Sequence, residues 1–107
     1  MRDLKPAELR AYLETSPQPP LLLDVREPWE FDICHLEGSR LIPMVQLFGS
    51  ADELLDPGRE TVIICHHGIR SRQAGRFLAG RGFDKLINLN GGLEAWARDL
   101  DPHMGTY

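Results

Sequence analysis

The side chains best suited to covalent chemistry gather in one segment. Cys65 closes a short apolar run, Val62-Ile63-Ile64, and opens the polar stretch His66-His67-Gly68-Ile69-Arg70-Ser71. A thiol is nucleophilic as its thiolate, so its surroundings decide whether it reacts. Three features of this stretch favour the anion. A helix beginning just after the loop would present a partial positive charge and unpaired N–H groups. A tight loop can turn successive N–H groups inward as an anion nest. Arg70 adds a permanent cation, and Gly68 supplies a residue that tolerates positive φ. The same cradle suits a persulfide, whose charge sits in the same place. The competing reading makes Cys65 a small buried apolar residue at a strand end, as free cysteines often are.

His66 and His67 have several readings: general bases, metal ligands, residues lining a pocket mouth, or solvated loop residues. With Cys34-His35 they suggest zinc, but zinc ligands usually come as pairs separated by two to four residues, a spacing lacking here. No metal and no cofactor are assigned.

Elements that could position this stretch alternate along the chain. Strands are expected at Arg2 to Leu4, Leu21 to Val25, Ser39 to Ile42, Thr61 to Ile64 and Leu86 to Leu89. Helical spacing of apolar residues appears over Pro6 to Glu14, Pro28 to Phe31, Met44 to Phe48 with a second piece over Ala51 to Leu55, Ser71 to Ala79, and around Leu93 to Ala97. Continuous apolar runs such as Leu21-Leu22-Leu23 mark strands buried on both faces. The alternation predicts an α/β domain with a mainly parallel five-stranded sheet and helices on both faces. Ligands bind such sheets beyond the carboxyl ends of the strands, where Cys65 falls. The tail, Asp101 to Tyr107, shows no period and is expected on the surface.

Composition bounds the rest. The chain of 107 residues suits one domain, 1–107, with one core. A net charge of -4 speaks against a broad nucleic-acid footprint. Arg70, Arg72, Arg76 and Arg81 make a local positive region suited to a small anion. No apolar run is long enough to span a membrane, and the N-terminal residues lack a secretory apolar region. Two cysteines are too few for a disulfide framework, so a reduced, cytoplasmic protein is expected.

With these residues in view, the chain resembles the rhodanese family from about Leu4 to Trp96. CHHGIRS resembles that family's active-site loop, which opens with a catalytic cysteine and often ends in arginine. LLLDVREPWEF resembles its first signature, CHLEGSRLIP the continuation, and LNGGLEAW the closing one. The resemblance implies a single-domain sulfurtransferase. Cys65 would take the outer sulfur of thiosulfate or a similar small anion, hold it as a persulfide, and pass it to cyanide, a thiol or a protein acceptor. Arg70 and the backbone N–H groups from His66 to Ser71 would hold the persulfide and the incoming oxyanion. Asp24, Arg26 and Glu30 would support the scaffold, and Trp96 would pack in the core. Phosphatases of similar fold place five residues between cysteine and arginine. Four stand between Cys65 and Arg70, which favours sulfur over phosphate. The alternatives within the resemblance are a persulfide carrier serving a partner enzyme and a non-catalytic interaction module. Two positions depart from the family pattern. Ser39 replaces a common alanine and Cys34 a usual glycine; Cys34 is either a structural replacement or a partner for Cys65 in a disulfide or sulfur relay.

Overall fold

The computed structural model describes residues 1–107. Five strands, β1 (Arg2–Leu4), β2 (Leu21–Asp24), β3 (Arg40–Leu41), β4 (Thr61–Ile64) and β5 (Leu86–Leu89), alternate with five helices. The helices are α1 (Pro6–Thr15), α2 (Pro28–Ile33), α3 (Met44–Leu54), α4 (Ile69–Gly80) and α5 (Gly92–Asp99). The sheet order is β1-β5-β4-β2-β3, and every pairing is parallel.

Side-chain alternation along β4 divides the core. Ile63 and Cys65 join Leu23, Leu47, Ala74 and Leu78 on the face covered by α3 and α4. Val62 and Ile64 join Leu4, Leu9, Ile87 and Leu93 on the face covered by α1 and α5, with Trp96 packed beside them. Full burial of each large aliphatic side chain contributes about 1.5–3 kcal/mol, so these two layers outweigh the exposed ion pairs of the surface.

Two helices start by the same local device. Pro6 and Pro28 occupy the first turn, where a missing N–H costs nothing. The acid two residues on then reaches back: Glu8 accepts the Lys5 N–H at 2.8 Å, and Glu30 accepts the Glu27 N–H at 3.0 Å.

Two boundaries, those of the third strand and of α4, differ from the sequence reading. The third strand narrows to Arg40–Leu41, because the Ser39 N–H turns back to the Leu36 carbonyl at one end and Pro43 has no N–H to extend the ladder at the other. The two pieces expected over residues 44–55 are the two halves of α3, which breaks between them at Ser50 (φ -141°). The helix expected from Ser71 starts at Ile69, because Gly68 in the left-handed region (φ 95°) turns the chain into it directly.

Candidate functional site

Cys65 lies just past the carboxyl end of the central strand and is fully buried. Its Sγ accepts the Gly68 N–H at 3.0 Å, and the Ser71 Oγ lies 3.2 Å away. Gly68 can aim its N–H inward because it holds a conformation that a side chain would resist.

The loop is held from outside by α5. The Leu93 N–H donates to the Cys65 carbonyl at 2.9 Å, and the Glu94 N–H donates to the His66 carbonyl at 3.0 Å. The first N–H groups of a helix lack intrahelical partners, so these bonds satisfy both sides. They also turn the loop carbonyls away from the sulfur. The approach requires Gly92 (φ 64°): a Cβ there would sit 2.3 Å from the His66 carbonyl oxygen. With its carbonyls facing α5 and α4 beginning just beyond, the loop forms an anion-favouring cradle.

Arg70 occupies the first turn of α4. Its two terminal nitrogens donate to the two carboxylate oxygens of Glu30 at 2.6 and 2.7 Å. The sequence reading expects this guanidinium on the persulfide; here its hydrogen bonds go to Glu30. The Glu30 hydrogen bonds, above all, hold Arg70 firmly protonated. Glu30 is pulled down to about 2, chiefly by Arg70, with help from the Glu27 N–H and the Tyr107 hydroxyl. A depressed carboxylate stabilises the fold above its unfolded value of 4.5, and that stability is lost as pH falls toward 2. Glu30→Gln should therefore melt below wild type at pH 7, and the gap should close as pH drops through this window, followed by thermal melts.

Asp24 and Arg26 sit beneath, both fully buried. The Arg26 Nε donates to the Asp24 Oδ1 at 2.9 Å, and one terminal nitrogen donates to Asp24 at 2.7 Å and to the Cys34 carbonyl at 2.6 Å. The other donates to the Glu30 carbonyl at 3.3 Å and the Tyr107 hydroxyl at 2.9 Å. This guanidinium fixes α2, and with it Glu30.

Tyr107 was not legible as part of the site. The tail expected on the surface brings its hydroxyl to Glu30, donating at 2.7 Å, and its ring to within 4.1 Å of the His66 ring. The phenol is raised to about 12 by burial and by Glu30. Gly105 permits the approach, since a Cβ there would meet the Ile33 carbonyl oxygen at 2.6 Å. A cavity of about 80 Å³ between tail and loop is bounded by Cys34, His66, Leu93 and Tyr107.

The remaining loop residues point elsewhere. His66 is half-buried, and burial first, then His67, lowers its pKa, so it is neutral at pH 7 and adds no cation. His67 is exposed and meets the Glu94 carboxylate at 2.9 Å. Ile69 is largely exposed. Ligand atoms of His66, His67 and Glu94 lie within 4.8 Å of one another. Cys34 packs with the core layer on the face opposite Cys65, and both thiols are free.

Asn88 is the other residue the sequence reading passed over. It is fully buried in β5, accepts the Ser71 hydroxyl at 2.5 Å, and donates to Asp3 at 2.8 Å. A lone amide inside the run LINL was the available signal, because buried polar groups need partners.

No helix is long and apolar enough to cross a membrane. Comparison with known proteins gives a consistent result. The family model described as Rhodanese-like domain matches residues 5–99. The chain is 39% identical over 106 residues to the probable adenylyltransferase/sulfurtransferase MoeZ of Mycobacterium tuberculosis, covering 97% of this chain and 26% of MoeZ. It is 31% identical over 80 residues to the thiosulfate sulfurtransferase GlpE of Vibrio cholerae, covering 72% of each. The crystal structure of a rhodanese-related protein from Thermoplasma volcanium superposes with a TM-score of 0.81 at 28% identity, covering 94% of both chains. The chain thus spans about a quarter of MoeZ and most of GlpE.

Proposed function

Because the chain belongs to the rhodanese-like domain family, we propose that it is a sulfurtransferase working through a persulfide on Cys65. The donor is thiosulfate or a similar small sulfur anion, and the acceptor is cyanide or a thiol. The Cys65 thiolate attacks the outer sulfur of thiosulfate, the S–S bond breaks, and sulfite leaves with the bonding electron pair. The acceptor then attacks that sulfur, and Cys65 departs as thiolate. Splitting the transfer into two displacements predicts ping-pong kinetics.

The observation that carries this reading is the sulfur at the base of a loop whose carbonyls are tied to α5, accepting the Gly68 N–H at 3.0 Å. A cradle built this way stabilises negative charge on sulfur without reorganising. In this reading the N–H groups from His66 to Ser71 line the cradle, and Arg70 supplies positive potential from its seat on Glu30. Asp24, Arg26 and Glu30 hold that seat. Exposed Ile69 and Trp29 offer apolar surface suited to a protein thiol acceptor. Two unpaired cysteines suit a reducing cytoplasm.

Intact mass spectrometry after thiosulfate treatment tests the proposal. Wild type should gain one sulfur atom and Cys65→Ala none, and the variant should lose thiosulfate-to-cyanide transfer. A variant as active as wild type would sink the proposal. Absence of an adduct with any sulfur donor would favour the non-catalytic module.

A further inference from the structure

We propose that Asp3 and Asn88 are positioning residues that set the direction of the Ser71 hydroxyl, so that Ser71 faces the Cys65 sulfur as a hydrogen-bond acceptor. The proposal deepens the sulfurtransferase reading at the same site, but its test needs no sulfur donor, so either can fail alone.

The argument is a count of protons. β1 and β5 pair in parallel with Asp3 directly beside Asn88, which puts both side chains on the α4 face of the sheet. The buried Asn88 amide could in principle face Ser71 with either end. Asp3 decides which, because a carboxylate only accepts, so the amide nitrogen must point to it at 2.8 Å. The Asn88 hydrogen bond is the largest influence holding Asp3 below the ordinary carboxylate range, so the acceptor is ionised at neutral pH. The amide oxygen is then left facing Ser71 at 2.5 Å, and an amide oxygen also only accepts.

Ser71 has one hydroxyl proton, and that contact holds it on Asn88. The Ser71 oxygen therefore turns a lone pair to the sulfur 3.2 Å away. It can accept from a thiol S–H. It cannot donate to a thiolate or persulfide without abandoning the buried Asn88 oxygen and leaving that acceptor stranded. The Gly68 N–H serves the anion, and the Ser71 side serves the thiol.

Asp3 is partly exposed, which makes it the accessible end of the chain. In Asp3→Asn the new amide can donate to Asn88, letting Asn88 turn over and give its N–H to Ser71. The Ser71 proton is then free to bond the sulfur anion. The charged groups near the chain are Arg72 and the Met1 amino group beside Asp3, and Arg70 beside Cys65.

Iodoacetamide alkylation of Cys65, followed by intact mass, reads the thiolate directly. Cys34→Ser in every variant leaves one thiol to count. Asp3→Asn should raise the rate at pH 7 about tenfold, the order expected for one added hydrogen bond to a charged group, and shift the pH profile to lower values. In a Ser71→Ala background the same substitution should change nothing. An unchanged rate in Asp3→Asn overturns the proposal. So does a gain retained in Ser71→Ala, which would trace it to removal of the Asp3 charge. Should Ser71→Ala not fold, salt separates the two. A gain that survives about 1 M NaCl supports proton ordering, and one that vanishes there overturns it, since such salt screens exposed charges beyond about 3 Å.

Discussion

Arg26→Met is expected to lower the stability of the fold by about 3–5 kcal/mol, the cost of stranding one partner of a buried ion pair. Arg26 is fully buried, and each of its nitrogens is engaged. Without it the buried Asp24 carboxylate keeps only the backbone N–H of residue 26, at 3.1 Å. The Cys34 and Glu30 carbonyls and the Tyr107 hydroxyl lose a donor as well. Small domains have about 5–15 kcal/mol in total, and each kcal/mol shifts Tm by about 4–8 °C at this size. A drop of roughly 15 °C or more is therefore expected by calorimetry. The double variant Asp24→Asn with Arg26→Met should recover part of the loss, because no buried charge is left alone. A single variant melting within a few degrees of wild type would show that the pair is not what holds α2.

Gly92→Ala should disable the loop while leaving most of the fold standing. The new Cβ would lie 2.3 Å from the His66 carbonyl oxygen and 2.6 Å from that of Cys65, both backbone atoms. Something must move, and the two bonds from α5 to the loop are the contacts at the clash. Losing both costs about 1–3 kcal/mol, and the left-handed backbone adds about 1–2 kcal/mol for any residue with a Cβ. Stability should fall by about 2–5 kcal/mol on these two terms. Sulfur transfer should fall further, by about a hundredfold, because freed carbonyls can turn toward the sulfur and misplacement of this order carries that penalty. Kinetics at a temperature where the variant remains folded separate the two effects. Unchanged turnover would mean that the tie to α5 does not shape the cradle.

The fold and the position of Cys65 were legible because their signals are local. Val62-Ile63-Ile64 could only be a strand buried on both sides, and Cys65 had to fall at its carboxyl end. The start of α4 was placed two residues late because the cue lies in the backbone of Gly68, not in apolar spacing. Exposed Ile69 and Glu30-bound Arg70 carry no periodic signature. The roles of Arg70, Asn88 and Tyr107 come from residues distant in sequence. Arg70 was expected on the sulfur because nothing near it announces Glu30, forty residues away. Asn88 meets Asp3 through strand register, which pattern alone does not fix. Tyr107 belongs to a segment without period, and its anchor, the close approach of Gly105 to Ile33, is purely tertiary.

The polar contacts around Cys65 also bear on the order in which the molecule can come into being. Asn88 meets Asp3 across 85 positions, Arg26 meets Tyr107 across 81, and Tyr107 meets Glu30 across 77. The loop carbonyls wait for α5, and β1 adds itself beside β5 only after β5 exists. A nascent chain that has made Cys65 but not yet residues 86–107 has the thiol without its cradle. Such long-range closures slow folding, because chain entropy is lost before the contacts form. During that interval Cys65 is an ordinary cysteine, open to whatever oxidants or thiols surround it. On the proposed sulfurtransferase reading, the finished fold is what makes its reactivity selective.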